Sequence, residues 1–170
     1  MRYWPLVKTI AFIILVPGTV LIYLPVFLLE QRGALNMPAL SALTVFAATL
    51  WVFAVGVCIS CAIRFAVEGE GTPAPVDPPK ILVVRGIYRY TRNPMYVGVV
   101  SALIAEALFF SRTLLGVAAL LFFLGSHLFV ILYEEPHLRR LFGAQYEQYC
   151  RTVPRWVPSP GKSNRSRAAR

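Results

Sequence analysis

Two short stretches of this chain concentrate the side chains able to do chemistry. The first is GIYRYTRNPMYVG, Gly86 to Gly98, which sets Tyr88, Tyr90 and Tyr96 among Arg89, Arg92 and Asn93. The second is the acidic pair Glu134-Glu135. Tyrosine rings offer hydroxyl groups and electron-rich faces to a cation. Paired carboxylates can hold a cation, an amine or a ribose diol, or they can simply mark the end of a helix at an interface. Pro94 suits the first turn of a helix, with Asn93 as its N-cap. Gly98, four residues on, shares that face and lets a neighbour or ligand come close.

Four other residues ask for a reading. His127 stands seven residues before Glu134, on the same helix face and about 10 Å away. No catalytic residue is assigned, and His127 is the one candidate, placed to line a substrate channel and take a proton, or else to bond a neighbouring helix. Glu106 is about 18 Å from Pro94 along its helix, and is expected to face another helix or the interface near Arg112. Cys58 and Cys61 lie on one apolar helix without a second ligand pair, so no metal site is expected.

The elements that must position these groups follow from composition. Of 170 residues, 57% are apolar and 15% charged, against about 45–50% and 25% in an ordinary soluble domain. This excludes a disordered chain and a soluble nucleic-acid binder, and three cysteines make no disulfide framework. The expected fold is an all-α integral membrane protein with four transmembrane helices at about 9–29, 39–63, 95–110 and 113–133. A single helix over 95–133 would be about 58 Å long, too long for one crossing, so Ser111-Arg112 reads as a tight turn between antiparallel helices. The first apolar run is longer than the ~7–15 residues of a signal-peptide core. Fifteen of the seventeen Lys and Arg residues fall on one side of this scheme, leaving only Arg32 and Arg112 on the other. Both termini and the 64–93 loop are therefore expected in the cytoplasm.

The segments between are unequal in information. GEGTPAPVDPP, 69–79, reads as an extended strap. Beyond Tyr133, Leu138, Leu141, Phe142 and Tyr146 recur at helical spacing, as in a short amphipathic helix lying on the cytoplasmic face, broken near Gly143 and ended before Pro154. Tyr146 and Tyr149 are expected to anchor it at the headgroups. Residues 1–158 read as one domain and 159–170 as a basic, disordered tail drawn to anionic lipid.

The run G-x-Y-R-Y-x-R-N-P-M-Y-x-G, followed by E-E-x-x-L-x-x-x-F-G-x-x-Y-x-x-Y and then V-P-R, resembles the isoprenylcysteine carboxyl methyltransferase family. It is similar, more distantly, to the phospholipid N-methyltransferases of the same membrane superfamily. The likeness spans about residues 71–158. It implies a helical membrane enzyme that takes S-adenosylmethionine from the cytosol into a pocket formed by the 64–98 segment and the C-terminal region, and methylates a lipid or other lipophilic molecule. By resemblance, Lys80, Ile81, Leu82 and Val83 wrap the cofactor, with Tyr88, the element Asn93, Pro94, Met95 and Tyr96, and Glu134 with Glu135 as its helper. Arg89 or Arg92 would pair with the cofactor's carboxylate, Gly98 would permit close approach, and the strap would close over it. Asn93 stands where the family usually has histidine. Val130 stands where the eukaryotic enzymes hold the prenylcysteine carboxylate with arginine, which points away from a prenylated acceptor. No glycine-rich G-x-G-x-x-G loop is present, so the pocket is not of the soluble Rossmann kind. Two alternatives are an NADPH-dependent membrane reductase of the sterol-reductase type and a non-catalytic membrane scaffold. No nucleic acid and no specific protein partner are inferred.

Overall fold

A computed structural model describes residues 14–33, 36–68 and 80–158, together with Ala11. Arg2, Lys8, the strap 69–79 and the tail 159–170 lie outside the described residues, so the expectations placed on them stay as they were. The described chain is all helical, without a strand. We label its helices α1 (Ile14–Glu30), α2 (Ala42–Val67), α3 (Pro94–Phe109), α4 (Thr113–Phe129), α5 (Glu135–Phe142) and α6 (Ala144–Thr152). A 3₁₀ turn, Gly86–Arg89, precedes α3.

Local chemistry sets these boundaries. α2 starts at Ser41, whose Oγ accepts from the Thr44 N–H while Thr44 Oγ1 accepts from the Ser41 N–H, a reciprocal capping box. α3 starts at Pro94, which has no N–H to leave unpaired. Asn93 is at the cap position as expected, but its side chain does not cap. Its amide Nδ2 donates instead to the Arg155 carbonyl at 3.1 Å, a partner more than sixty residues away that sequence spacing cannot reveal.

Two π turns have a common cause. One, Thr19–Tyr23, lies inside α1 just before Pro25, and the other, Val130–Glu134, joins α4 to α5 just before Pro136. A proline ring clashes with the carbonyl four residues back and donates nothing to it. Widening the turn by one residue carries the helix past that conflict without a break. Consequently α4 and α5 form one apolar helix, Thr113–Phe142, where the sequence suggested a crossing ended at Tyr133 and a separate surface helix.

The long helices run alternately up and down. Along α2 and α3, Cys58 meets Met95, Ala54 meets Gly98 and Trp51 meets Glu106, so their directions oppose. The turn at Ser111, whose φ is +51°, reverses the chain into α4, and α1 sets Leu21 into a core cluster with Ala54, Val99 and Leu103 and Leu29 against Leu115. Glu106 accepts a 2.8 Å hydrogen bond from the Trp51 indole on α2, so it faces another helix as expected. Gly98 permits close approach to a protein neighbour. A Cβ there would come 2.7 Å from Cys58 Sγ and 3.1 Å from the Ala54 carbonyl.

The core is thin for so apolar a chain. Leu40, Leu132 and Phe53 are 89%, 71% and 70% exposed, and these are the faces that lipid would cover. Two helices, Ala42–Val67 and Thr113–Phe142, are long and apolar enough to cross a membrane, while Ile14–Glu30 and Pro94–Phe109 are apolar but shorter.

Candidate functional site

The two chemical clusters of the sequence meet at one end of the bundle. The antiparallel turn between α3 and α4 returns the end of α4 to the start of α3. Across that junction the Tyr96 hydroxyl donates to Glu134 Oε2 at 3.1 Å. Beside them is a cavity of about 130 Å³. Of the residues singled out in the sequence, Leu82, Val83, Tyr88, Arg92, Asn93 and Pro94 line it, as do Met95, Tyr96, Glu134 and Glu135. Lys80, Ile81 and Arg89 are exposed and outside the lining, and Gly98 is buried against α2.

The C-terminal segment closes this end like a latch. The Arg92 N–H donates to the Pro154 carbonyl at 2.9 Å, and Thr91 Oγ1 donates to the Arg155 carbonyl at 3.0 Å. The Arg155 guanidinium then reaches Glu135 through two parallel bonds of 2.7 and 3.0 Å. Arg92 Nη1 is 3.0 Å from the same carboxylate, and Arg139 is 3.9 Å away. Glu135 is 4% exposed, and such burial of a carboxylate is tolerable only with partners of this kind. The two glutamates thus differ. Glu134 is hydrogen-bonded by a tyrosine, whereas both oxygens of Glu135 are held by guanidinium groups. Hydrogen bonds to Glu135 push the Arg155 pKa above its ordinary value.

Tyr146 and Tyr149 do not anchor the tail at the headgroups. Both are buried, at 3% and 8% exposure, and both line the cavity. The Gly143 turn, φ +50°, folds α6 back so that its tyrosines pack with Leu82, Leu138 and Phe142, and Tyr149 donates a 2.7 Å bond to the Tyr88 carbonyl. Leu141, expected on that apolar face, is 50% exposed. Burial raises the pKa of Tyr88, Tyr146 and Tyr149 above the ordinary tyrosine range, so all three are neutral hydroxyls at neutral pH.

His127 is outside the lining too. Trp156 Nε1 donates to its Nδ1 at 3.0 Å, within an aromatic group that also includes Phe123 and Tyr96. The bonded partner is therefore the C-terminal latch and not a neighbouring helix. The π turn between His127 and Glu134 also breaks the seven-residue register that would have aligned them. An accepting Nδ1 leaves only Nε2 for other partners.

Sequence reasoning missed His137. It lines the cavity, stacks on Tyr133 with ring planes 4° apart, and its buried Nε2 has no hydrogen-bond partner among the described residues. Its place three residues after Glu134, hence on the same face, was an available signal. Arg155 was likewise visible in the V-P-R run, but its partner was not.

The comparisons with known proteins bear on what this arrangement is. No curated protein and no solved structure matches the chain. The model of the phospholipid methyltransferase family matches residues 43–145, a stretch that begins in α2 and takes in Tyr88, Tyr96, Glu134 and Glu135. With more than half of its length matched, and both the tyrosine-rich turn and the two glutamates inside the match, the chain belongs to the phospholipid methyltransferase family, a family of membrane methyltransferases.

Proposed function

We propose that this protein transfers a methyl group from S-adenosylmethionine to a lipophilic acceptor entering from the membrane. The observation that carries the reading is the junction of Tyr96 and Glu134, at 3.1 Å, on the wall of a cavity shared with Tyr88, Arg92, Asn93 and Met95 in a chain of a methyltransferase family. The donor set fits that cofactor. Arg92 Nε and His137 Nε2 are buried without partners among the described residues, and both suit a carboxylate. Glu134 and the tyrosine faces suit a sulfonium cation. Leu82, Val83, Asn93 and Pro94 complete the enclosure.

When bound, the cofactor supplies an electrophilic methyl group. The chain's own work is alignment and exclusion of water. Tyr96 orients the Glu134 carboxylate, Glu135 ties Arg92 and Arg155 together, and the apolar walls keep solvent out. Val130, 1% exposed and part of the lining, offers nothing to a carboxylate, which favours an acceptor without one beside it.

The same reading takes residues 1–158 as one domain that crosses the membrane four times with both termini in the cytoplasm. α1 and α3, at about 25 Å each, come near the ~30 Å hydrocarbon thickness, and the asymmetry of basic residues supports the orientation.

The test is calorimetric titration of the detergent-solubilised protein with S-adenosylhomocysteine and, separately, NADPH. Micromolar binding of the first alone is expected, weakened at least about tenfold by Glu134→Ala and by Tyr96→Ala, each with helical circular dichroism retained. Unchanged affinity in both variants would overturn the site. Labelled cofactor given to membranes should put label into the lipid extract.

A further inference from the structure

A second cavity, of about 330 Å³, lies toward the other end of the bundle, between α1, α2 and α3. Its walls are apolar, built from residues such as Leu29, Ala47, Phe109 and Phe110, with one exception. Glu106 is 7% exposed, lines the cavity, and has committed only Oε1, to the Trp51 indole. Its Oε2 is buried and has no partner among the described residues. A buried carboxyl oxygen left unpaired among hydrocarbon groups costs free energy that a ligand can recover. Ile22 and Val52, 61% and 67% exposed, form the rim, so the cavity opens sideways between α1 and α2, toward what would be the acyl chains.

We infer that this cavity is a binding site for a neutral, hydroxyl-bearing lipid whose alcohol group hydrogen-bonds Glu106 and whose hydrocarbon body fills the apolar space. The match is one of valence. A hydroxyl has one donor for the single free oxygen, and it can accept instead if the carboxyl carries the proton. An ammonium group would bring a charge and three divergent N–H donors to a wall whose one carboxyl is Glu106, and donors pointing away from it would be left desolvated among apolar groups. The site is separate from the methyl-transfer cavity and does not depend on that reading.

Trp51, bonded to Glu106 and lining the cavity, is the built-in reporter. The full chain in detergent is titrated with 9,10-dibromooctadecanol, the corresponding dibromo-octadecane and the corresponding primary amine, following quenching of tryptophan fluorescence. Trp51→Phe identifies its share of the signal. The alcohol should quench saturably and bind about tenfold more tightly than the hydrocarbon, a gain of one hydrogen bond. That preference should vanish in Glu106→Leu. Ala48→Phe, which plugs the cavity from an exposed lining position, should abolish saturable quenching even if Glu106→Leu does not fold. Equal binding of alcohol and hydrocarbon, tighter binding of the amine, or quenching unchanged by Ala48→Phe would each overturn the inference.

Discussion

At the level of single residues, the two neighbouring glutamates illustrate how position divides labour between identical side chains. Glu134 accepts from a tyrosine hydroxyl, while Glu135 sits among three arginines. Arg155→Ala would leave the buried Glu135 with Arg92 at 3.0 Å and Arg139 at 3.9 Å. A loss on the order of 2–3 kcal/mol of stability is expected, smaller than for a fully orphaned buried charge because Arg92 and the more distant Arg139 remain. Arg155→Lys should recover only part of it, since an ammonium cannot make the two parallel bonds. Thermal unfolding followed by circular dichroism in one detergent measures both. A loss within error for Arg155→Ala would mean that the pair contributes nothing to stability.

At the level of elements, the close packing of α2 on α3 and the docking of α6 are the two contacts on which the site end depends. Gly98→Ala should separate the first pair, because the added methyl meets Cys58 Sγ and the Ala54 carbonyl. A destabilisation of about 1–3 kcal/mol is expected. Adding Cys58→Ala should restore part of it, read as a coupling in a double-mutant cycle. The α6 contact has a pH signature. Tyr88, Tyr146 and Tyr149 have pKa values raised by burial in the folded chain, so their contribution to stability is complete below the unfolded value of about 10. It declines above that, as the unfolded chain releases protons that the folded chain retains, until the folded groups themselves ionise. Denaturation midpoints should therefore fall between about pH 10 and 12, and Tyr149→Phe should flatten the slope. An unchanged slope would indicate that Tyr149 titrates normally.

At the level of the whole molecule, the alternating helices bring the Gly86 turn, the start of α3 and the C-terminal latch to one end, and Gln31 and Ser111 to the other. If four helices cross the bilayer, these ends lie on opposite sides. With Cys58, Cys61 and Cys150 replaced, Arg85→Cys and Pro158→Cys should react with a membrane-impermeant maleimide only from the cytoplasmic side. Gln31→Cys and Ser111→Cys should react only from the other. Labelling of Arg85→Cys and Gln31→Cys from the same side would remove the four-crossing arrangement. Both outcomes are read on gels without any assumption about activity.

What the amino-acid order determined by itself is what depends on neighbours in the chain. Apolar runs, proline at a helix start, the glycine break at 143 and the two chemical clusters are all local, and the all-helical character followed from them. So did the family, because its residues are ordered along the chain. Tertiary structure alone decided the partners. The bond from Asn93 to the Arg155 carbonyl, the pairing of Arg155 with Glu135, the capture of His127 by Trp156 and the burial of Tyr146 and Tyr149 each join residues 20 to more than 60 positions apart or depend on how α6 folds back. A buried polar group must find a partner, but its own sequence neighbourhood states only the need. Which group answers it is settled by the path of the chain, here by a latch that returns to the start of α3.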